Sequence, residues 1–363
     1  MAKQIAASTL GTPQDTYLYQ LARTQTSQST FGTIGSDDSL RLFDTPSLKP
    51  VNTFQSCNHG VSCLNTFNEI TFLTAGRDAT VRFWDPRSSA QASQHIVEPK
   101  GAGFSAVVGC GVLVAAGTEN LKEGPGDVTV LLYDARSLGR PLRSYTESHT
   151  DTITQLAFHP TQAGILLSGS TDGLISLFDT NQADEDDALR QVLNPRSAVH
   201  CAGFLADDQA YVLTSDEHFS VYGLDKTGSA DDQALPTHEY GDVREKLDCM
   251  YAISILQSAM LPAPVLAYGH NNKQTLSLAP LKAPSWDVGQ PINLPGAHGE
   301  EVVRDVMIIE NGLALSCGED GQVRVWDTKG AHSAGDAMEV DTGAKPSKKQ
   351  SRKDKKAERF APY

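Results

Sequence analysis

The chain has 363 residues, of which 39% are hydrophobic and 30 are glycine; this composition supports a folded core with many tight turns and excludes a wholly disordered protein. The formal net charge is −14, but residues 345–359 carry eight basic and two acidic side chains, so the remaining residues carry −20. A body this acidic repels phosphate backbones and steers in cationic partners, which argues against duplex binding by the body, although the charge also serves solubility.

The first predicted element is the apolar segment Ile5–Leu10. The start of the chain, MAKQIAASTLGTPQD, lacks the long apolar stretch of a signal peptide, and the longest apolar run, near Val107–Ala116, is broken by glycine. The six cysteines lie far apart without a Cys-x-x-Cys pair, so neither a zinc site nor a disulfide framework is predicted. We therefore expect a soluble intracellular protein whose cysteines are small buried side chains.

One short phrase recurs along the chain: an apolar pair, a small-residue turn with Asp, an alternating strand, and an aromatic residue followed by Asp. In chain order the clear copies are FGTIGSDDSLRLFD (31–44), FLTAGRDATVRFWD (72–85), VAAGTENLKEGPGDVTVLLYD (114–134), LLSGSTDGLISLFD (166–179) and ALSCGEDGQVRVWD (314–327). Their closing aspartates are 41, 49, 45 and 148 residues apart. The last gap holds three units of the usual ~40–45 residues, and degenerate copies at 211–225 and 265–281 fill it, which makes seven units.

Each unit alternates short apolar or β-branched strands with turns rich in Gly, Asp and Asn, the period-two pattern of a sheet. Because a lone four-stranded sheet cannot bury both faces, such units stack into a ring. The last unit shows three strands, Val302–Ile309, Leu313–Cys317 and Gln322–Trp326, and Ile5–Leu10 is the natural fourth. The prediction is an all-β protein: a seven-bladed β-propeller over residues 1–332, closed by the N-terminal strand, and a disordered basic tail over 333–363.

These phrases resemble the WD-repeat family over residues 3–330. The resemblance implies that each good blade buries four hydrogen-bonded side chains: a His before the first strand, a Ser or Thr on the second, an Asp in the next turn and a Trp on the third. Blades five and six match too poorly to assign. The matching residues are His59, Thr74, Asp78 and Trp84 in blade two; His149, Ser168 and Asp172 in blade four, with Phe178 replacing Trp; His298, Ser316, Asp320 and Trp326 in blade seven; and Thr33 and Asp37 with Phe43 in blade one.

Sets of His, Ser and Asp also form the catalytic triads of hydrolases, so a hydrolytic active site is the alternative to a structural role. Here the residues recur once per blade at one spacing, which a single active site does not require. The Gly-x-Ser-x-Gly elbow, the Gly-x4-Gly-Lys-Ser/Thr phosphate loop and the His-Glu-x2-His helix are all missing from the sequence. We therefore predict no enzymatic activity, no catalytic residues, no cofactor and no metal site.

Two consecutive blades end in related tetrapeptides, WDPR at 84–87 and YDAR at 133–136. Arg87 and Arg136 follow equivalent strands, so we expect them on the same rim of the ring. The pattern resembles the paired WDxR boxes of substrate receptors that dock on the adaptor of a cullin-type ubiquitin ligase. The alternative is a solvated turn arginine that pairs with a nearby carboxylate.

Three loops are candidate recognition elements. The insertion Asn120–Gly126 in blade three serves either recognition or simple spacing, and the acidic loops Asn181–Asp187 and Ser229–Gln233 either receive a basic peptide or are merely solvated.

After Gly330 the chain becomes polar and then strongly basic, a composition that cannot bury enough apolar surface to order itself. Such a run is typical of a nuclear localisation signal or a nucleic-acid patch, and the alternative is a solubilising tail. The basic residues concerned are Lys345, Lys348, Lys349, Arg352, Lys353, Lys355 and Lys356.

Within the family, the divergent fifth and sixth blades, the GEDGQVRVWD ending and the tail closing in ERFAPY resemble one subfamily of interaction proteins without enzymatic activity. We expect a nuclear or nucleocytoplasmic scaffold for other proteins, monomeric outside its complexes, without membrane contact, and with nucleic acid bound only through the tail. Two alternatives remain: an acidic escort for a basic client such as a ribosomal protein or histone, and a ubiquitin ligase substrate receptor.

Overall fold

The computed structural model describes residues 2–24, 30–68, 70–88, 91–225, 235–257 and 261–329. These residues form seven antiparallel sheets, and the first strands of successive sheets contact one another around a ring. The architecture is the seven-bladed β-propeller that the repeats predict. Among the described residues no helix is long and apolar enough to cross a membrane.

Blades one to four each consist of four consecutive strands. Their bounds are β2 Leu18–Arg23, β3 Phe31–Gly35, β4 Leu40–Phe43 and β5 Pro50–Phe54 in blade one; β6 Val61–Phe67, β7 Thr71–Gly76, β8 Thr80–Trp84 and β9 Gln94–Val97 in blade two; β10 Phe104–Cys110, β11 Leu113–Thr118, β12 Val130–Asp134 and β13 Arg143–Tyr145 in blade three; and β14 Ile153–Phe158, β15 Ile165–Ser170, β16 Ile175–Asp179 and β17 Leu189–Leu193 in blade four.

Blades five to seven follow the same order, and blade six has a split outer strand. Their bounds are β18 Val199–Ala206, β19 Gln209–Thr214, β20 His218–Gly223 and β21 Pro236–Asp242 in blade five; β22 Tyr251–Leu256, β23 Val265–His270, β24 Thr275–Lys282, β25 Asp287–Val288 and β26 Ile292–Pro295 in blade six; and β27 Val303–Ile309, β28 Leu313–Gly318, β29 Val323–Asp327 and β1 Lys3–Ser8 in blade seven. The described helices are one-turn elements: α1 Glu185–Ala188, α2 Val243–Leu247 and the 3-10 helix Glu310–Gly312.

The ring is closed by β1, which pairs antiparallel with β29 from Lys3 opposite Asp327 to Ser8 opposite Val323. The sequence predicts this closure, and the strand begins and ends two residues earlier than the predicted Ile5–Leu10.

Adjacent strands of a blade run in opposite directions, so its connections alternate between two ends. We call the upper rim the end that carries the loops leading into each first strand and the turns joining second to third strands. The lower rim carries the turns joining first to second strands and the loops joining third to fourth strands.

The core lies between the blades and not within a single sheet. Seven clusters of buried apolar side chains each span one interface between neighbouring blades. Five of the six cysteines are buried as expected, and Cys110 is exposed. Each blade therefore depends on both neighbours for its stability.

Every first strand carries a β-bulge, and at four of these bulges the side chain hydrogen-bonds to a backbone carbonyl of the next blade. Ser105 Oγ donates to Ile153 O at 2.6 Å, and Thr154 Oγ1 donates to Val199 O at 2.8 Å. The residues left without a register partner near the start of each first strand are Tyr19, Ser62, Ser105, Thr154, His200, Ile253 and Arg304, and blade five has a second irregularity at Leu205.

The junction from blade seven to blade one is linked by a carboxylate next to its bulge. Asp305 Oδ2 accepts the Leu21 N–H at 2.7 Å, and Oδ1 accepts the Val306 N–H at the same distance. Asp305 keeps some solvent exposure, yet burial raises its pKa to about 7 against these two hydrogen bonds.

Candidate functional site

The four side chains predicted for blade seven form one hydrogen-bonded chain inside the blade, an arrangement that we call a polar set. The Trp326 indole N–H donates to Ser316 Oγ at 2.9 Å, and Ser316 Oγ lies 2.7 Å from His298 Nε2. His298 Nδ1 lies 2.6 Å from Asp320 Oδ1. Because an indole only donates, the serine hydroxyl is left to donate to Nε2, and Nδ1–H then donates to the carboxylate.

Burial determines the charge state of this set. Burial lowers the pKa of His298, although the hydrogen bond to Asp320 opposes that shift. Burial alone would raise the pKa of Asp320, but hydrogen bonds from His298 and Arg324 keep it below its ordinary value. A neutral imidazole therefore lies beside an ionised carboxylate, and the His298 side chain has no exposed surface with which to reach a substrate.

Blade four holds a shorter set. His149 Nε2 lies 2.7 Å from Ser168 Oγ, and His149 Nδ1 lies 3.1 Å from Asp172 Oδ2. Phe178 stands at the Trp position and stacks on Tyr145, with ring centroids 4.5 Å apart. Because a phenyl ring cannot donate a hydrogen bond, the set of blade four ends at Ser168.

In blade two, one of the four predicted residues is wrong. Thr74, Asp78 and Trp84 belong to its set, but the His59 side chain is 94% exposed. Asn58, one residue earlier and buried, accepts from Thr74 Oγ1 at 2.5 Å and donates to Asp78 Oδ1 at 3.0 Å. A side-chain amide carries both an acceptor and a donor, so asparagine performs both functions of a neutral histidine.

A second contact recurs that the sequence reasoning did not identify. The turn aspartates of blades one, two and seven each form an ion pair with an arginine four residues later: Asp37 with Arg41, Asp78 with Arg82, and Asp320 with Arg324. In blade one, Arg41 is the cross-strand neighbour of Thr33, and Thr33 and Phe43 are both buried. The spacing Asp-x3-Arg was the available signal.

In the described parts of blades three, five and six, the polar set is missing. Strand pairing identifies the residues equivalent to Ser316 as Ala116, Val212 and Ala267, and those equivalent to Trp326 as Tyr133, Tyr222 and Pro280. Apolar side chains therefore occupy four of these six positions, and tyrosines occupy the other two. The buried Tyr133 hydroxyl has no hydrogen-bond partner among the described residues.

Arg87 and Arg136 lie on the lower rim of adjacent blades and are 74% and 72% exposed. Each guanidinium is held by the aspartate two residues earlier, with Nη2 2.6 Å from Asp85 Oδ2 and from Asp134 Oδ2, respectively. The arginines therefore pair with carboxylates, as the turn alternative predicts, and still present most of their surface to a partner.

The insertion Asn120–Gly126 lies on the upper rim between β11 and β12. Gly126 N donates to Thr150 O at 2.8 Å, which ties the loop to blade four, and Leu121 is 75% exposed.

In the acidic loop Asn181–Asp187, the Glu185 carboxylate caps the backbone N–H groups of Glu147 and Ser148 at 3.0 and 2.9 Å. Asp186 and Asp187 are exposed. The loop Ser229–Gln233 and the basic tail residues Lys345, Lys348, Lys349, Arg352, Lys353, Lys355 and Lys356 lie outside the described residues.

A closed ring of seven blades with buried polar sets defines a WD-repeat propeller. The sequence model of the WD domain, G-beta repeat, matches residues 48–85, 139–179 and 289–327, which end in blades two, four and seven, the blades that hold the sets. An uncharacterised WD repeat-containing protein of Saccharomyces cerevisiae is 32% identical over 300 residues, which are 81% of this chain and 75% of that protein. The chain therefore belongs to the WD-repeat family.

Two further relatives agree with this assignment. An uncharacterised WD repeat-containing protein of Schizosaccharomyces pombe is 27% identical over 269 residues, 70% of this chain and 78% of that protein. The WD repeat-containing protein 89 homolog of Dictyostelium discoideum is 33% identical over 191 residues, 52% of this chain and 48% of that protein. The subfamily that the divergent blades and the chain ending resemble is that of WD repeat-containing protein 89.

Proposed function

We propose that this protein is a non-enzymatic scaffold that binds other proteins in the nucleus. One observation carries the proposal: in the described part of the chain, the His–Ser–Asp groupings of blades four and seven lie buried inside the blades, at hydrogen-bond distance from one another. They are structural, whereas the rims present exposed charged side chains. A rigid ring of this kind acts through its surfaces.

Affinity purification of the full chain, followed by mass spectrometry, tests the scaffold. We expect a reproducible set of partner proteins, and we expect the variant Ser316→Ala, which alters only the interior of blade seven, to retain them after correction for the amount of folded protein. Recovery of no partner above background would refute the scaffold.

The nuclear assignment is supported by the basic residues 345–356, whose composition is typical of a localisation signal. Replacement of its lysines and Arg352 by glutamine is expected to abolish nuclear accumulation of a fluorescently tagged chain. A matched variant with lysine at every basic position should stay nuclear. Unchanged accumulation in the glutamine variant would remove the support for this assignment.

A second candidate function is that of a substrate receptor for a cullin-type ubiquitin ligase. The exposed pair Arg87 and Arg136, on the same rim of adjacent blades, favours it. The double variant Arg87→Ala/Arg136→Ala should then lose a ligase adaptor from the co-purified proteins. Arg140→Ala, in the same loop as Arg136, is the matched control. Equal recovery of the adaptor from all three proteins would exclude this docking mode.

A third candidate, the acidic escort, is supported by the net charge of −20 outside residues 345–359. An escort is expected to release a basic client as salt rises, because exposed charge pairs are screened over a Debye length of roughly 10 Å at 0.1 M salt. Clients with an acidic or neutral surface in the same purification would argue against it.

A further inference from the structure

Blade five has an open cleft where the polar sets lie in other blades. Val212 stands at the position of Ser316, and Tyr222 stands at the position of Trp326. Both line a cleft of about 340 Å³ together with residues 194–197, the loop that leads into blade five. Ligand pockets span roughly 300–1,000 Å³, so the cleft is large enough for one side chain of a partner.

Other blades of the same ring show which group fits this space. In blade two, Arg82 Nη2 lies 3.0 Å from Asp78 Oδ2, and its Nη1 donates to Cys57 O, in the loop leading into the blade, at 2.7 Å. Arg324 makes the same two kinds of contact in blade seven, with Asp320 Oδ2 at 2.8 Å and a loop carbonyl at 3.0 Å. A guanidinium between the turn aspartate and the incoming loop is therefore a recurrent feature of this protein.

Blade five keeps the aspartate of this arrangement and lacks the arginine. Asp216 follows the second strand as Asp78 does, and Ser220, four residues later, pairs with Val212 in the register in which Arg82 pairs with Thr74. The short serine side chain cannot reach the aspartate as an arginine does. The cleft therefore presents a carboxylate whose guanidinium partner the chain does not supply at this position.

The charges of the cleft favour a cation. Among the lining residues, Asp216 and Glu239, the cross-strand neighbour of Ser220, supply two carboxylates, and Arg196 supplies one guanidinium. Arg244 also reaches Asp216, where its Nη2 donates to the backbone carbonyl at 3.1 Å, but its charge is paired with Asp242, whose Oδ2 lies 2.7 Å from Nη2. His218 Nδ1 lies 3.4 Å from Asp216 Oδ1. The side chain of Asp216 is 50% exposed, and a hydrogen bond from Thr214 Oγ1 keeps its pKa below the ordinary value, so it is ionised and accessible.

We propose that the blade-five cleft binds the arginine side chain of a basic peptide, with the guanidinium held between Asp216, Glu239 and the carbonyls of residues 194–197. The inference rests on the proposed function as a protein scaffold and names the chemistry of one partner. Arginine is favoured over lysine because a planar guanidinium satisfies a carboxylate and a carbonyl together. A phosphorylated peptide would be repelled by the two carboxylates.

The test uses the purified full chain and a fluorescein-labelled peptide of sequence KPSKKQSRKDKKAER, followed by fluorescence anisotropy. We expect the peptide to bind, and a control peptide with both arginines replaced by lysine to bind at least about tenfold more weakly at the same charge. Asp216→Asn and Glu239→Gln should each weaken binding by a similar factor. Glu123→Gln, an exposed acid in blade three, should leave it unchanged.

A second test adds a side chain that occupies the cleft and does not remove one of its carboxylates. Ser220→Arg restores the Asp-x3-Arg spacing, so we expect it to abolish peptide binding while the melting temperature stays the same or rises. Ser176→Arg is the equivalent change in blade four, where the serine is fully buried, and it should lower the melting temperature steeply. Peptide binding that survives Ser220→Arg, or that is equal for the arginine and lysine peptides, would refute the cleft.

The arginine could come from a partner or from the chain's own tail, and one variant separates these sources. Arg352→Lys/Arg359→Lys in the full chain preserves the tail charge. Tighter binding of the added peptide to this variant would support the site and identify the tail as its occupant, whereas equal binding would support a partner as the source.

The cleft and the scaffold proposal can fail independently. Partners that co-purify equally with the unaltered chain and with Ser220→Arg, together with no peptide binding, would refute the cleft and retain the scaffold.

Discussion

Blades two, four and seven differ from blades three, five and six in how their interiors are filled. The first group buries hydrogen-bonded polar sets, whereas the second places Ala116, Val212 and Ala267 where the sets have serine or threonine. Both groups form the same antiparallel sheets. The backbone of a blade therefore does not require the set, and apolar packing against the neighbouring blades is sufficient for the fold.

Polar and apolar blade interiors also differ in how strictly they specify one arrangement of side chains. A fully satisfied buried polar network stabilises one arrangement because every alternative leaves a donor or acceptor unpaired. An apolar interior tolerates more changes of sequence. We therefore expect the interiors of blades two, four and seven to tolerate fewer substitutions than those of blades three, five and six. The blade-five cleft lies in the more tolerant group.

The largest effect is expected from Asp320→Ala. This change leaves the buried N–H of His298 and the guanidinium of Arg324 without their carboxylate, and the loss of one partner of a buried ion pair costs about 3 kcal/mol. Chemical denaturation should show this loss, and Asp186→Ala, at an exposed position of α1, should show almost none. Equal stabilities would contradict the structural role of the set.

A smaller effect is expected from Asn58→Ala, which removes a buried amide from the set of blade two. Thr74 and Asp78 each lose a partner, at a cost of about 2 kcal/mol in the free energy of unfolding. His59→Ala removes an exposed side chain and should change that energy by less than about 0.5 kcal/mol. A larger loss of stability in His59→Ala than in Asn58→Ala would show that His59 belongs to the set, as the sequence predicts.

Equivalent aromatic positions in the two groups allow a direct contrast. Trp326→Phe removes the donor to Ser316 and should cost about 1 kcal/mol or more. Tyr133→Phe in blade three removes a buried hydroxyl that has no hydrogen-bond partner, so stability should stay the same or rise. Burial raises the pKa of Tyr133 to about 12, in keeping with apolar surroundings. Comparable losses in both variants would show that the two interiors do not differ in this way.

The smallest effect concerns a polar link outside the sets. Burial raises the pKa of Asp305 to about 7 in the folded protein, above its ordinary value of 3.8, so the folded state binds the proton more tightly than the unfolded state does. Its contribution to stability therefore falls as the pH rises from 4 through 7, by about 1 kcal/mol between pH 6 and pH 8. The variant Asp305→Asn cannot titrate at this position. The free energy of unfolding of the unaltered chain, minus that of the variant, should therefore decline between pH 6 and pH 8 in chemical denaturation. A difference that does not change with pH would contradict the raised pKa of Asp305.

The sequence predicts the fold well because the repeat phrase is periodic and survives in five clear copies. In blade seven the sequence also predicts all four side chains that form the hydrogen-bonded chain, His298, Ser316, Asp320 and Trp326. It fails at Asn58 because histidine is the family residue and the chemically equivalent amide is one position away.

The remaining features depend on packing between segments that are distant in the chain. The bulge contact of Ser105 with Ile153 and the blade-five cleft both arise where neighbouring blades meet. A motif confined to one repeat carries no information about the neighbouring repeat, so these features had no local signal. Asp-x3-Arg is the exception, because both partners lie in one turn and the following strand.

The pairing of β1 with β29 has a consequence for synthesis of the protein on the ribosome. The two strands are separated by more than 300 residues, so Lys3–Ser8 emerges long before its partner exists. At about 5–20 residues per second, that interval is roughly 15 s to a minute. During this time the segment is an unpaired strand edge, which can be captured by another chain. The last contact to form in the ring is therefore also the one that the growing chain must protect for longest.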